Sequence, residues 1–411
     1  MTITLDDARA LDARDPLRAH RDRFLIDPDT IYLDGNSLGA LPRASRARIA
    51  EAVDEQWGRD LIRSWNKHGW LAAPERIGAK IAPLIGARPA EVIVADSTSV
   101  NLFKLLGAAL AARPGRKIIL SEPGNFPTDL YIAQGVADAL PGVELRTLAA
   151  GAIADAIDEE VAVVLLTHVH YKTGRMLDMA GITRAAHAKG ALVLWDLSHS
   201  AGAVPVDLNG CDADLAVGCG YKYLNGGPGA PAFLFVAERL QAELNSPLSG
   251  WMGHAAPFAF GDDYAAAPGI RRFLCGTPPI LAMTALEAGV EEFAGVDRDA
   301  LFAKSRALTG LFIDLVEARC AGHGFDLVTP RDPALRGSHV SFRHGEAYPI
   351  CQAMIARGVI GDFRAPDIFR CGFTPLYTGY GDVWRAVDIL ADIMDTRAWD
   401  KDTYRIVLPV T

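Results

Sequence analysis

Two charged residues in mostly apolar surroundings, Asp196 and Lys222, have the types and the placing needed for chemistry on an amino group. Asp196 ends the apolar run 192–196, and Lys222 lies in the glycine-rich segment 220–229. Ligands of open α/β sheets bind beyond the carboxyl ends of the strands, so Asp196 is expected at the mouth of a site. A lysine that is framed by two tyrosines and shielded from water can act as a nucleophile through its neutral amine.

This pair of residues suits pyridoxal phosphate. The lysine would form a Schiff base with the aldehyde, and the carboxylate would keep the pyridine nitrogen protonated, so that the ring accepts electrons. Taken singly, Lys222 is more often a solvated surface lysine and Asp196 a helix-capping residue. The prediction of this cofactor therefore depends on the two residues together.

A phosphate site and contacts to the cofactor ring are also predicted. The segment 96–100 (DSTSV) leads from a strand into a helix, where hydroxyl groups and free backbone N–H groups favour an anion, so Thr98 and Ser99 are the expected phosphate ligands. Phe126 could stack on the ring, and Asp129 could bond near its phenolic edge. The structural alternatives are helix capping for the hydroxyl residues, a core position for Phe126 and a favourable first-turn position for Asp129.

Two further sets of residues allow more than one interpretation. His168, His170 and His199 could combine with Asp196 as metal ligands, but no carboxylate or thiol follows at the usual spacing, and we predict no metal. Arg370 lies at a strand-to-loop transition, where its planar guanidinium could capture a substrate carboxylate or form an ordinary surface ion pair.

The elements that must position these residues follow a βαβ rhythm from residue 90 to about residue 240. Short β-branched runs alternate with longer Ala-rich segments, which predicts an α/β fold with a doubly wound, mostly parallel sheet. A Gly-, Pro- and aromatic-rich stretch at 245–279 predicts a long ordered loop. We expect an N-terminal segment (1–50) that packs with the small domain, a large cofactor-binding domain (51–292) and a small α+β domain (293–411).

Composition limits the possible partners and compartment. The 411 residues carry a formal net charge of −9, which opposes binding to nucleic acid or to an anionic membrane. Six cysteines without a C-x-x-C pair indicate reduced thiols. The start of the chain lacks the pattern of a secretory signal, and no apolar run approaches the roughly 20 residues that span a bilayer. A soluble, cytoplasmic protein is expected.

Several segments together resemble the kynureninase family, which has the fold-type-I architecture of the pyridoxal-phosphate enzymes in the aspartate aminotransferase superfamily. The resemblance covers nearly the whole chain and lies in these segments: YLDGNSLG at 32–39, DSTSVNL at 96–102, FPTD at 126–129, WDLSH at 195–199, GYKYLNGGPG at 220–229, GWMGH at 250–254 and CGTPPIL at 275–281. It implies a cytoplasmic homodimer that hydrolyses L-kynurenine to anthranilate and L-alanine. It further implies a role in tryptophan catabolism by the kynurenine pathway and in NAD biosynthesis.

The resemblance also assigns roles to individual residues. Lys222 would be the Schiff-base lysine, Asp196 the partner of the pyridine nitrogen and Phe126 the stacking ring. Other cofactor contacts would come from Thr98, Ser99, Asp129, Thr167, His199 and Tyr221, with Trp251 and Thr277 supplied by the second subunit. Arg370 would bind the substrate carboxylate and Tyr221 would move protons at the substrate carbonyl. Trp65 and Thr277 resemble the bacterial form, which prefers kynurenine to 3-hydroxykynurenine.

Two other functions remain open from the sequence. A cysteine desulfurase or aminotransferase of the same fold would need different chemistry, and for a desulfurase Cys371 would have to be a nucleophile; its apolar context favours a structural role. A non-catalytic pyridoxal-binding regulator would be expected to carry a DNA-binding module, but no basic helix-turn-helix pattern or basic patch is present.

Overall fold

The computed structural model describes residues 3–408, which form two compact units. The central unit comprises Ser45–His168 and Leu177–Glu291, and the terminal unit is drawn from Met1–Ala44, Val169–Met176 and Glu292–Thr411. The short segment Val169–Met176, which the sequence places in the large domain, lies in the terminal unit, where the Gly174 carbonyl accepts the Gly337 N–H and the Met176 N–H donates to the Leu335 carbonyl. The predicted boundaries at 50 and 292 stay predictions, and the ends of the outer two ranges lie outside the described residues.

Short strands and helices follow one another along the described chain. The strands are β1 Phe24–Leu25, β2 Ile31–Tyr32, β3 Leu41–Pro42, β4 Val92–Val94, β5 Ile118–Ser121, β6 Glu144–Thr147, β7 Val161–Thr167, β8 Leu192–Asp196, β9 Leu215–Gly218, β10 Phe233–Val236, β11 Asp326–Leu327, β12 His339–Arg343, β13 Val359–Ile360, β14 Asp362–Arg364 and β15 Ile368–Gly372. The α-helices are α1 Leu5–Arg14, α2 Arg43–Glu51, α3 Ser64–Lys67, α4 Ala73–Ile81, α5 Thr98–Ala112, α6 Pro127–Ala139, α7 Ile153–Ala156, α8 Met179–Ala188, α9 Glu238–Gln241, α10 Ile280–Glu291, α11 Arg298–Arg319, α12 Ala347–Ile355 and α13 Tyr380–Asp395.

A seven-stranded sheet in the order β4-β10-β9-β8-β7-β5-β6 forms the core of the central unit. Strand β10 is antiparallel to its neighbours β4 and β9, and all other neighbouring strands of this sheet are parallel. The predicted mostly parallel α/β sheet is therefore confirmed. Every residue of β7, β8 and β9 is buried, which explains their nearly continuous apolar sequences. Because β4 is antiparallel to β10, and β10 to β9, strands β4, β7 and β8 end at the same edge of the sheet.

The terminal unit has an antiparallel sheet in the order β11-β12-β15-β14, and an apolar core beside it to which α11, α12 and α13 contribute. β2 pairs in parallel with β13, so the N-terminal segment is part of this unit. The N-terminus of α13 is capped from α1, because the Asp12 carboxylate accepts the backbone N–H groups of Tyr380 and Gly381 at 2.7 and 2.9 Å.

Two segments depart from regular α-helix and strand. Helix α2 ends at Glu51, and a π-helical segment, Ala52–Trp57, follows. The stretch 245–279 contains two short 3₁₀ segments, Trp251–Gly253 and Gly269–Phe273, and is otherwise irregular. Within residues 3–408, no helix combines the length and hydropathy required to cross a membrane.

Candidate active site

A cavity of about 140 Å³ lies at the edge of the central sheet where β4, β7 and β8 end. Its lining consists of Ser97, Thr98, Ser99, Phe126, Thr128, Asp129, Thr167, Asp196, Ser198, His199, Tyr221 and Lys222. The structure therefore brings together nine residues predicted from the sequence or from the family resemblance. The other three, Ser97, Thr128 and Ser198, stand next to predicted residues in the chain.

Lys222 has only 8% of its surface exposed, and its amine lies in the cavity among aromatic rings. The Nζ atom lies 3.4 Å from His199 Nε2 and 5.6 Å from the centroid of the Phe126 ring. The chain turns tightly on both sides of this lysine, and an added Cβ at Gly220 would lie 2.4 Å from the Pro231 carbonyl oxygen. Glycine is thus required for the backbone approach that points Lys222 into the cavity.

Asp196 and Asp129 form a buried pair of carboxyl groups in the lining. Asp196 Oδ1 accepts the backbone N–H of Ser198 at 2.6 Å, and Thr167 Oγ1 donates to Asp129 Oδ2 at 3.3 Å. Burial and the adjacent Asp196 carboxylate raise the pKa of Asp129 well above its ordinary value. Asp129 is therefore the member of the pair whose surroundings favour the protonated form.

The start of α5 supplies hydroxyl groups at the positive end of a helix. Ser97 is the N-cap, and its side chain accepts the backbone N–H of Val100 at 3.3 Å. Thr98 and Ser99 follow in the first turn and line the cavity. Asp96, just before the cap, has a φ of +48°, a left-handed conformation that is uncommon outside glycine. This arrangement of hydroxyl and N–H donors suits a phosphate dianion.

Asn125 is a buried residue that no sequence pattern singled out. Thr167 Oγ1 donates to its Oδ1, the Phe126 N–H donates to the same atom at 2.8 Å, and its Nδ2 donates to Ser121 Oγ at 3.3 Å. Asn125 thus fixes Phe126 relative to the end of β7. Its place immediately before Phe126 in the segment GNFPTD was the available signal, but its hydrogen bonds depend on three-dimensional neighbours.

His168 follows Thr167 at the end of β7 and is buried. Its Nδ1 lies 2.9 Å from Ser200 Oγ, and burial lowers its pKa to about 4. It is thus a neutral core histidine. Within residues 3–408, no group of three or more His, Cys, Asp or Glu side chains is arranged to hold a metal ion.

Four predicted residues are not part of the lining of this cavity. Trp251, 40% exposed, packs edge-on against Phe258, and Thr277 is exposed. Trp65 is half-buried and packs edge-on against Trp70. Arg370 belongs to the terminal unit, and its predicted contact with substrate stays a prediction.

Arg370 is held within the terminal unit by a carboxylate and a hydroxyl group. Its Nε donates to Asp362 Oδ1 at 2.7 Å, its Nη2 donates to Ser37 Oγ at 3.0 Å and its Nη1 to the Tyr171 carbonyl. Burial opposes ionisation of Asp362, but Arg370 outweighs it and lowers the pKa of Asp362 to about 2. The alternative of a surface ion pair is wrong, because both side chains are only 1% exposed.

The cavity lining fits pyridoxal phosphate. It provides an amine for the aldehyde, a buried aspartate for the pyridine nitrogen, an aromatic side chain for the ring face and hydroxyl groups at a helix N-terminus for the phosphate. Asp129 Oδ1 is buried and has no hydrogen-bond donor among the described residues, so a polar ligand group could satisfy it.

Comparisons with known proteins agree with this lining. The model of the kynureninase C-terminal domain matches residues 301–390. A kynureninase from Burkholderia pseudomallei (strain 1106a) is 55% identical over 402 residues, covering 96% of this chain and 97% of the relative. A kynureninase from Pseudomonas fluorescens is 53% identical over 414 residues, covering 99% of this chain and 100% of the relative.

Solved structures of other pyridoxal-phosphate proteins share the fold. A cysteine desulfurase from Thermococcus onnurineus NA1 aligns with a TM-score of 0.77 at 18% identity, covering 92% of this chain and 98% of that one. A C-DES mutant with glycine covalently linked to its PLP cofactor aligns with a TM-score of 0.79 at 18% identity, covering 90% and 99%. At these identities the likeness concerns the fold alone.

Proposed function

Because the chain belongs to the kynureninase family, we propose that it is a pyridoxal-phosphate-dependent hydrolase that cleaves L-kynurenine to anthranilate and L-alanine. The observation that carries this proposal is the cavity in which Lys222 and Asp196 lie with Phe126 and the hydroxyl groups of α5, in a chain 55% identical to a kynureninase. A hydrolase of this kind breaks the bond between Cβ and the γ-carbonyl carbon. The 3-hydroxy derivative is a second expected substrate.

The residues of the cavity have separable tasks. Lys222 would hold the cofactor aldehyde and, after exchange with the substrate amine, take the proton from the substrate α-carbon as a general base. Asp196 would keep the pyridine nitrogen protonated, while Phe126 would cover one ring face and exclude water from it. The bound cofactor supplies an electron sink for charge that develops next to the substrate amine.

Tyr221 is the proposed proton carrier at the substrate carbonyl. The neighbouring Cys219, burial and Asp196 raise the pKa of the Tyr221 phenol above its ordinary value, so it keeps its proton at neutral pH. A protonated phenol can donate to the γ-carbonyl oxygen as water adds to that carbon. Cleavage then leaves the added oxygen in the carboxylate of anthranilate, and a proton replaces the lost acyl group on Cβ to give alanine.

Substrate binding and assembly are proposed from the family resemblance. Arg370 would bind the substrate carboxylate, and its hydrogen bonds to Asp362 and Ser37 would fix the guanidinium for that contact. Trp65 and Thr277 would contact the aryl ring of the substrate. We also propose a homodimer, in which Trp251 and Thr277 complete the site of the other subunit, and both residues are exposed enough for such contacts.

A cysteine desulfurase is the weaker candidate. Cys371 lies in β15 with 1% of its surface exposed, and burial raises the pKa of its thiol well above the ordinary value. A buried thiol that resists ionisation is a poor nucleophile. Cys371→Ala should therefore leave kynurenine cleavage largely intact, and a loss of activity without unfolding would favour desulfurase chemistry.

The cellular setting follows from the same family. All six cysteines are free thiols, which supports a reducing compartment, and we propose the cytoplasm. The reaction would serve tryptophan catabolism by the kynurenine pathway and, through it, NAD biosynthesis.

The direct test is to incubate the purified protein and its cofactor with L-kynurenine and to measure anthranilate by fluorescence together with alanine. Equal amounts of the two products are expected. The Lys222→Ala variant should form neither at a detectable rate. If the wild-type protein retains the cofactor but forms neither product, the proposal is wrong.

A further inference from the structure

An ion pair between a fully buried lysine of α5 and an aspartate just before that helix takes no part in the chemistry proposed above. Lys104, in the middle of α5, is 0% exposed, and its Nζ donates to Asp96 Oδ2 and to the Phe273 carbonyl oxygen, each at 2.7 Å. Lysine is among the residues that proteins rarely bury completely. A lysine at this position therefore has a specific task.

The Asp96 carboxylate precedes the hydroxyl residues at the start of α5. The Asp96 carbonyl accepts the Ala232 N–H at 2.9 Å, and Asn101 Nδ2 donates to the Ala95 carbonyl at 2.8 Å, so the backbone is held on both sides of the left-handed Asp96. A phosphate dianion at Ser97–Ser99 would have this carboxylate as a close neighbour in the sequence. Without a countercharge, Asp96 would repel the dianion that the helix N-terminus attracts.

We propose that Lys104 is a positioning residue for cofactor binding: it neutralises Asp96 and holds the turn 95–99 so that this segment accepts a phosphate dianion. The inference rests on the proposed use of pyridoxal phosphate. It concerns the phosphate end of the cofactor only. Lys104 therefore contributes to the difference in affinity between the phosphorylated and the unphosphorylated aldehyde.

The second hydrogen bond of Lys104 extends its effect to a neighbouring segment. Phe273 lies two residues before Cys275, whose carbonyl oxygen accepts the Met252 N–H at 3.2 Å. Lys104 thereby ties the turn 95–99 to the segment that carries Trp251 and Thr277. Replacing Lys104 removes its bonds to Asp96 and to Phe273 at once. The variant must therefore be compared with one in which the charge of Asp96 is removed as well.

The experiment titrates the cofactor-free, full-length protein with pyridoxal phosphate and, separately, with pyridoxal, following the visible absorbance of the lysine-bound aldehyde. For Lys104→Met, the Kd of pyridoxal phosphate should rise about tenfold or more, because the Asp96 carboxylate next to the phosphate-binding turn is left without its countercharge. The Kd of pyridoxal should change by less than about threefold, because pyridoxal carries no phosphate. The double variant Asp96→Asn/Lys104→Met should recover most of the lost affinity, since it removes both charges.

Lys304→Met is the matched control. Lys304 is a buried lysine of the terminal unit whose Nζ lies 2.6 Å from both the Asp15 carboxylate and the Pro375 carbonyl, so its surroundings resemble those of Lys104. Its replacement should lower stability without changing the ratio of the two Kd values. A similar change of that ratio in Lys304→Met would overturn the proposal. An equal rise of both Kd values in Lys104→Met would also overturn it. So would a double variant that binds pyridoxal phosphate as weakly as Lys104→Met does.

Two further arms cover other outcomes. If Lys104→Met does not fold, Asp96→Asn alone decides: its affinity for pyridoxal phosphate should equal or exceed that of the wild type, and a tenfold loss would overturn the proposal. If the wild-type protein binds neither aldehyde, both this inference and the proposed function fail. If it binds pyridoxal phosphate but Lys104→Met keeps the wild-type ratio, only this inference fails.

Discussion

Asp129 and Asp196 are two buried carboxyl groups of the cavity to which different tasks are assigned. The raised pKa of Asp129 favours its protonated form, which an amide can replace without loss of charge. We expect Asp129→Asn to keep cofactor affinity and kcat within about tenfold of the wild type, whereas Asp196→Asn should lower kcat by about a hundredfold or more. Steady-state kinetics with L-kynurenine and cofactor titration measure both. Equal damage from the two substitutions would contradict the assignment.

His168 links the pH to the stability of the central unit. Its pKa is lowered from 6.5 to about 4 by burial, so the unfolded chain binds a proton over this interval that the folded protein does not. Stability from this group is therefore present above pH 6.5 and is lost as the pH falls towards 4, by about 2 kcal/mol between pH 7 and pH 5.

The test of this pH dependence is urea unfolding of wild type and His168→Gln at pH 7 and pH 5. The free energy of unfolding of the variant should fall less between these two conditions than that of the wild type, because glutamine does not titrate. An equal decrease in both proteins would show that His168 does not cause it.

At the scale of elements, the site depends on close packing of α4 against β4, the strand that leads into Asp96. An added Cβ at Gly78 in α4 would lie 2.2 Å from the Val92 carbonyl oxygen, whereas Gly135, exposed in α6, has no such neighbour within 4 Å. Gly78→Ala should lower the free energy of unfolding by about 1–3 kcal/mol through overpacking. Gly135→Ala should raise it by about 0.5–1 kcal/mol through helix propensity. Denaturant titration measures the free energy of unfolding of both variants. A change in the same direction in both would contradict the packing argument.

The sequence predicted an element well where the burial of that element alone determines its pattern of apolar residues. Continuous apolar runs identified β7 and β8, and the residue at the end of β8 led to Asp196, whereas Thr167 came from the family resemblance. Helix α1 escaped this reasoning because Ala8 is its only buried residue, so its sequence shows no apolar face. The Asp362–Arg370 pair was also missed, since it depends on the pairing of β14 with β15.

Buried polar residues were the hardest to foresee from the sequence. Lys104 lies in an apolar helix, and Asn125 precedes a predicted aromatic contact, but their partners at Phe273 and Thr167 are distant in the chain. Their roles follow only from the strand order and the path of the loop 245–279, and no local pattern encodes those.

At the scale of the whole molecule, the proposed exchange of residues between subunits can be tested by complementation. The Lys222→Ala and Trp251→Ala/Thr277→Ala variants should each be strongly impaired as pure dimers. In a mixed dimer, one site combines an intact Lys222 with an intact partner loop, so an equal mixture should recover about a quarter of wild-type activity. Activity that stays at the level of the separate variants after subunit exchange would contradict residues supplied across the interface.

The most direct measurement of the central claim is reduction of the cofactor-bound protein with borohydride, followed by peptide mapping. We expect a single pyridoxyl label, on Lys222 in the peptide that contains residues 220–229, and no label in the Lys222→Ala variant. A label on another lysine, or none in the wild-type protein, would contradict the assignment of this cavity as the active site.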